Sequence, residues 1–357
     1  MKLQHLYLRN FRNIEEASLS FGPKVNVFCG NNAQGKTNFL EAIVLISTGR
    51  SFRTQHLAEL IRDGSPFFFL EAQILRDQVV QIVRLSFDGQ VKRVECNHTH
   101  YPSFQSLLGL LPSILFAPSD IDLIAGSPAI RRRFLNLHLA QSDPLYFHHF
   151  LRFCRALKQR NTQLRSLSSE GFDCWERVMV DSAAFLYKKR KVLLEELNTG
   201  LAAACQALSG EHTEVQFAPS QSVHQPLIDS YLAQLKKNRI REKQFGLTMN
   251  GPHRDDFSLL IDRKPARLYA SDGQKRTAIA ALRLAEWQRL QKQIEACPLF
   301  GIDDLELHLD QDRQNLFRQS VGKLGQVFVT TPQISPVWPD ANLFRVNAGT
   351  AVPLKII

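Results

Sequence analysis

Eight consecutive residues, Gly30-Asn31-Asn32-Ala33-Gln34-Gly35-Lys36-Thr37, satisfy every fixed position of G-x-x-x-x-G-K-[ST]. That spacing binds a phosphate chain. Its glycines let backbone N–H groups wrap phosphate oxygens at a helix N-terminus, where the helix dipole also favours an anion. Lys36 is placed to reach the β- and γ-phosphates, and the Thr37 hydroxyl to ligate Mg2+. A Gly-rich turn with no ligand is the plainer alternative. The context argues against it, because an apolar strand pattern precedes the loop and a helical pattern follows.

A phosphate loop needs an acidic strand end to hold the metal. Leu299-Phe300-Gly301-Ile302-Asp303-Asp304 is an apolar run closing on two carboxylates. Asp303 is the candidate partner of the Mg2+ at Thr37, and Asp304 is placed to polarise an attacking water. Two adjacent Asp would also suit a solvated turn, and the upstream phosphate loop favours the catalytic reading. Ser271-Asp272-Gly273-Gln274-Lys275-Arg276 opens another helix with a Ser and a Gly, a second anion site in outline. In a chain that already has a full cradle, a second site makes sense if it faces the γ-phosphate held by another copy.

Several elements must position these residues. Leu6, Leu8 and Phe11, then Ala17, Leu19 and Phe21, then Val25, Val27 and Cys29 recur as in strands. A helical pattern runs from Lys36 through Ile46 and stops at Gly49. From Phe67 to Val94 the runs are β-rich, with Asp88-Gly89 as a hairpin signal. After Pro118 the character changes. Ser119 and Ser127-Pro128 read as helix starts, and helical patterns cover Asp143 to Ser169 and Phe172 to Leu208. After Phe245, strands at Phe257–Ile261, Pro298–Ile302 and Gln326–Thr330 flank a helix over Gly273–Gln291. The arrangement is an α/β domain interrupted by a helical one, with the division at 1–120 and 246–357 against 121–245.

Among the 357 residues, 44 Lys and Arg face 34 Asp and Glu, a net charge of +10 that favours polyanionic partners. The middle third carries much of it: Arg131, Arg132 and Arg133, and Lys188, Lys189 and Arg190, are candidate contacts to DNA phosphate. The solvated face of amphipathic helices is the alternative use of such residues. Tyr146, Phe147 and Phe150 read as core as easily as a stacking platform. The chain has no apolar run long enough to span a bilayer and no apolar segment of signal type at its start, so the expectation is a cytoplasmic protein with no membrane partner. Six scattered cysteines read as buried small hydrophobes. Cys96, His98 and His100 lie close together but lack a distant second ligand pair, so no metal site is expected there.

The phosphate loop, a degenerate signature at Ser271 to Lys275 and an acidic strand soon after it resemble ABC-type ATPases of the SMC kind. The ordered set of further motifs resembles, more narrowly, the RecF family of bacterial recombination mediators. These are Phe11-Arg12-Asn13, Gly49-Arg50-Ser51-Phe52-Arg53, Leu115-Phe116-Ala117-Pro118-Ser119-Asp120, Gly126-Ser127-Pro128 with Arg131-Arg132-Arg133-Phe134-Leu135, and Gly251-Pro252-His253-Arg254-Asp255-Asp256. They span nearly the whole chain.

The resemblance implies an ABC/SMC-type P-loop ATPase head, a mixed sheet with helices and an antiparallel β part, interrupted by a helical second lobe. It implies ATP and Mg2+ as cofactors and an ATP-dependent homodimer that sandwiches two nucleotides. Ser271 and Gly273 would then act in trans, Asp310 would be the acid of the D-loop, and Arg12 would contact nucleotide phosphate. It implies slow, DNA-stimulated ATP hydrolysis, binding to single-stranded and gapped duplex DNA, and work with RecR and RecO in placing RecA during DNA repair, replication restart and the SOS response. A monomeric P-loop phosphotransferase and a module in which ATP is structural are the competing readings. Departures from the family pattern are Ala33 for a second Gly, Gly301 in the aliphatic run, Leu307 and His308 in the D-loop, and Asp304 where many ABC ATPases have Glu. No His of the transporter type follows Thr331 and Pro332.

Overall fold

A computed structural model describes residues 1–166, 172–221, 224, 226–304, 309–332, 338 and 340–354. The chain forms two compact units, Met1–Asp120 with Ala204–Gly210 and Asp272–Ile357, and Ile121–Ala203 with Glu211–Ser271.

The first unit holds two sheets. One is antiparallel and is built from β1 (Lys2–Phe11), β2 (Ile14–Ser20), β4 (Phe68–Arg76), β5 (Val79–Phe87), β6 (Lys92–Cys96) and β7 (Thr99–Tyr101), in the order β2-β1-β4-β5-β6-β7. The other is built from β3 (Val25–Cys29), β8 (Ser113–Phe116), β12 (Leu299–Ile302), β13 (Val327–Thr331), β14 (Asn342–Asn347) and β15 (Thr350–Leu354), in the order β15-β14-β3-β13-β12-β8. Its pairings are parallel except for the terminal β14–β15 hairpin. β3, β12 and β13 are mostly apolar runs, with Asn26 of β3 the one amide among them, and are buried along their whole length, as strands of a parallel sheet covered on both faces must be.

Helix α1 (Lys36–Thr48) follows β3 and ends at Gly49, whose left-handed backbone returns an N–H to the Leu45 carbonyl. Phe28 of β3 stacks on Phe39 of α1 and on Phe344 of β14, and Phe21 lies edge-on to Phe28 and Phe344. β1 buries Leu3, Leu6, Leu8 and Phe11, which is not strict alternation. The register against β4 shifts between Leu3 and His5, and Asn10 takes φ 54°, so two local irregularities keep the apolar side chains on one face. α8 (Asp272–Ile294) and α9 (Gln311–Val321) complete the unit.

The second unit contains α2 (Asp122–Ala125), α3 (Pro128–Ser142), α4 (Pro144–Arg165), most of α5 (Phe172–Leu208), α6 (Leu227–Phe245) and α7 (Ala266–Tyr269). Pro128 and Pro144 occupy the first turns of α3 and α4, and the Asp143 side chain caps α4 by accepting from the Tyr146 N–H at 3.0 Å. A small antiparallel sheet, β11-β10-β9, joins β9 (Thr213–Ala218), β10 (Asp256–Ile261) and β11 (Lys264–Pro265). The division read from sequence put residues 246–271 with the nucleotide-binding lobe. Because β10 pairs with β9 from Asp256↔Ala218 to Ile261↔Thr213, these residues fall in the second unit instead.

Candidate nucleotide-binding site

The loop between β3 and α1 is held in the shape a phosphate chain requires. Gly35 takes φ 107° at the start of α1, and a Cβ there would come within 2.6 Å of Asn13 Oδ1. At Gly30 a Cβ would run into the Val346 carbonyl. Ala33 adopts φ 63°, so the methyl that replaces the family's glycine sits in the left-handed region at a modest cost. No side chain caps α1, which leaves its first N–H groups available to an anion. Lys36 is buried and folds back over the loop, donating to the Gly30 carbonyl at 2.8 Å and the Asn31 carbonyl at 2.9 Å.

Supports for this loop come from distant parts of the chain. Asn13 donates to the Gln34 carbonyl at 3.2 Å and accepts from Asn38 at 2.8 Å. The β14–β15 turn clasps Gln34: Gly349 N–H donates to its backbone carbonyl and Ala348 N–H to its side-chain oxygen, both at 2.8 Å. Arg12, read as a phosphate contact, has its three guanidinium nitrogens engaged within the protein. Two donate to the buried carboxylate of Glu41, at 3.0 and 2.9 Å, and the third to the Glu59 carbonyl at 2.9 Å. Glu41 also accepts from Ser51 and Arg53. The motif around Gly49 to Arg53 is thereby tied to α1. Sequence reasoning missed Glu41, although a lone acid inside the apolar run of α1 is a visible signal.

The acidic side is equally ordered. The Thr37 hydroxyl donates to Asp303 Oδ1 at 2.8 Å, and the Thr330 hydroxyl donates to the same oxygen at 2.9 Å. Burial raises the Asp303 pKa, against the pull of those two hydroxyl donors. Asp304 has φ 49°, its N–H donates to Thr330 at 2.8 Å, and its Oδ1 is buried with no hydrogen-bond partner among the described residues. Gly301 interrupts the aliphatic run for a steric reason: a Cβ there would lie 3.0 Å from Leu40 of α1 and 3.2 Å from Leu115 of β8. An oxygen-only donor set of one hydroxyl and one carboxylate, with a second carboxylate oxygen unpartnered beside it, fits Mg2+. Thr37 and Asp303 would hold that ion.

Ser271 and Gly273 are exposed at the start of the 23-residue helix α8. Asp310 caps α9, accepting from the Arg313 N–H at 3.0 Å, and pairs with the Arg313 side chain at 3.4 Å. Leu307 and His308 lie outside the described residues.

Two of the DNA-contact candidates need correction. Arg131 is buried and pairs with both oxygens of Asp256, at 2.6 and 2.9 Å. Arg190 is buried and bonds Asp255, the Pro252 carbonyl, Tyr146 and Asn136. Neither can reach a phosphate outside the protein. Arg132 is half-buried and donates to the Asp255 carbonyl, and Lys189 pairs with Asp143 at 2.6 Å. Arg133 and Lys188 are exposed. His98 and His100 are exposed and each lies 3.8 Å from Glu95, while Cys96 is buried; no cluster of three or more His, Cys, Asp or Glu side chains placed to hold a metal occurs among the described residues.

Fold and site together define a P-loop ATPase head of the SMC type. Residues 2–348 match the RecF/RecN/SMC N-terminal domain family, and the chain belongs to it. Within that family its similarity is to RecF. It is 41% identical over 337 residues to the DNA replication and repair protein RecF of Protochlamydia amoebophila, covering 93% of this chain and 94% of that one. The solved structure of the recombination mediator protein RecF with ATP, of the RecFOR pathway, superposes with a TM-score of 0.91 at 29% identity, over 99% of this chain and 97% of that one. An SMC head bound to the C-winged-helix domain of ScpA shares the fold, with a TM-score of 0.58 at 14% identity, over 100% and 98%. No helix among the described residues is long and apolar enough to cross a membrane.

Proposed function

We propose that this chain is a DNA-repair ATPase of the RecF kind, in which Mg·ATP closes a homodimer on DNA and slow hydrolysis reopens it. The observation that carries the reading is the 2.8 Å bond from Thr37 to Asp303, which joins the phosphate loop to the acidic strand end as an Mg·ATP site requires. Bound Mg2+ would neutralise charge on the β- and γ-oxygens. Lys36 holds the phosphate chain from the loop, and Asp304 orients the attacking water with its unpartnered oxygen. The exposed Ser271 and Gly273 complete the site of a second copy, and Asp310 lies beside that junction. Partners are single-stranded and gapped duplex DNA, together with RecR, RecO and RecA, in the cytoplasm.

Light scattering on the Asp304→Asn protein tests this. A dimer with Mg·ATP and a monomer with Mg·ADP are expected. Ser271→Arg should bind ATP and stay monomeric. Dimerisation unchanged by Ser271→Arg would overturn assembly in trans, and a monomer with ATP even in the presence of DNA would favour a phosphotransferase acting alone. ATP-dependent dimers with a turnover rate indifferent to Asp304→Asn would make ATP structural.

A further inference from the structure

The phosphate loop has an unassigned cation on the side away from Asp303. In the parallel sheet, β13 and β12 lie on one side of β3 and β14 on the other. Arg345 of β14 is paired in register with Cys29, the residue before Gly30. Its neighbours Phe344 and Val346 are buried in the apolar core, so strand alternation turns Arg345 to the opposite face. There it lines an open cleft of about 380 Å³ with Gly30, Asn31, Gln34, Pro332 and Asn347. The Arg345 side chain is exposed, and no carboxylate or hydrogen bond engages it among the described residues.

Two observations place the end of a phosphate chain in this cleft. Lys36, the residue that reaches the β- and γ-phosphates in such loops, is bonded to the carbonyls of Gly30 and Asn31, two of the lining residues. The cleft also opens at the carboxyl ends of β3 and β14, where α/β sheets bind their ligands. The Cys29 thiol beneath it reports both cations. Burial raises its pKa, and the charges of Arg345 and Lys36 both act against that rise.

We infer that Arg345 holds a terminal phosphate oxygen of the bound nucleotide from the β14 side, opposite Lys36, and so makes the site prefer a nucleoside triphosphate to a diphosphate. The inference rests on nucleotide binding at the loop, as proposed above. A guanidinium suits the task because its fork can meet two oxygens of one phosphate, whereas an ammonium meets them as a point charge. A diphosphate, ending one group short, leaves Arg345 without a partner. The residue thus couples the state of the nucleotide to β14 and to the turn that clasps Gln34.

The test is calorimetric titration of the full chain with Mg2+ and either a non-hydrolysable ATP analogue or ADP, for wild type, Arg345→Ala, Arg345→Lys and Lys36→Ala. In Arg345→Ala the analogue should bind about tenfold more weakly, as expected for loss of one charge-assisted contact, with ADP affinity nearly unchanged. Arg345→Lys should recover part of the loss. Equal losses for both nucleotides would overturn the inference by showing a general effect on the loop. Unchanged analogue affinity would overturn it too, and if DNA binding fell instead, Arg345 would belong to a nucleic-acid surface. Wild-type protein that binds neither nucleotide, or binds both no better than Lys36→Ala, would sink the nucleotide reading itself.

Discussion

In the nucleotide-binding unit the buried ammonium of Lys36 rests against two backbone carbonyls and has no carboxylate partner among the described residues. In the helical unit the buried guanidinium groups are matched to acids. Arg131 meets Asp256, Arg160 meets Glu176 and Glu242, and Arg190 meets Asp255. A buried cation beside carbonyls alone lacks a counter-charge, and a phosphate can supply it. A buried cation already paired with a carboxylate would lose that pairing by turning outward, so it holds helices together instead. A buried cation thus marks a ligand site in one unit and a staple in the other.

The largest effect expected from this contrast is on stability. Arg190→Met strands Asp255 at 0% exposure and should cost about 3–5 kcal/mol, read from urea unfolding. Nucleotide affinity should be unaltered once the protein is folded. A small loss in unfolding free energy, or a lost nucleotide site, would break the contrast.

Lys36→Ala comes next. Removing the cation that faces the phosphates should weaken ATP binding about 100-fold, with circular dichroism and unfolding near those of wild type. A protein that unfolds on this substitution would show that Lys36 is itself a staple.

How far the residue pattern alone revealed these roles follows the same physics. The phosphate loop, the β12 acids and the helices α1, α5 and α8 were legible because a backbone shape or a heptad-scale period imposes residue types at fixed spacings. Bare charge counts imposed nothing of the kind. Arg131-Arg132-Arg133 reads as one basic patch, yet the helix turns Arg131 inward and Arg133 outward. β9, β14 and β15 were not legible, because their pairing is set by contacts far along the chain: β14 finds β3 more than 300 residues away, and β9 finds β10 across α6. The Asp77-Gln78 hairpin between β4 and β5 escaped notice because neither residue is Gly, although both take positive φ. Glu41, Asn13 and Thr330 act on other residues of the site, and their types alone do not announce that.

Acid should act with opposite sign on one buried group of each unit, His253 and Asp303. Burial lowers the His253 pKa to about 4, with Arg254, Arg132 and Arg190 assisting against the bond to the Thr248 carbonyl. The unfolded chain protonates near 6.5 and the buried His253 does not, so the stability this histidine contributes is complete above about 6.5 and falls as pH drops toward 4. Between pH 6.5 and 5 the loss from this group should be about 1.5 kcal/mol, and His253→Gln should flatten the slope, leaving the part that His149 adds, whose pKa burial also lowers. Asp303 runs the other way. Its raised pKa means that falling pH protonates the folded unit before the unfolded chain, relieving a buried charge. Mg2+ should accordingly stabilise the nucleotide-binding unit more at pH 7.5 than at pH 5. Thermal unfolding at several pH values, with and without Mg2+, checks both signs.

The smallest effect concerns the cations of the helical unit that are not staples. Lys188 is exposed on α5 with no ion pair among the described residues, two positions from the buried Arg190. If DNA lies against this face, Lys188→Ala removes one phosphate contact. Duplex affinity should then fall only a few-fold, and the slope of log K against log salt should shrink by about 0.9. Unfolding stability should move by less than about 0.5 kcal/mol, as for a surface substitution. Arg190→Met, studied at a temperature where it stays folded, should leave that slope untouched. A salt slope unchanged in Lys188→Ala would remove this face of α5 from the DNA path. A slope reduced in Arg190→Met would mean that a staple opens when DNA binds, and the distinction between the two kinds of arginine would have to be redrawn around the bound state.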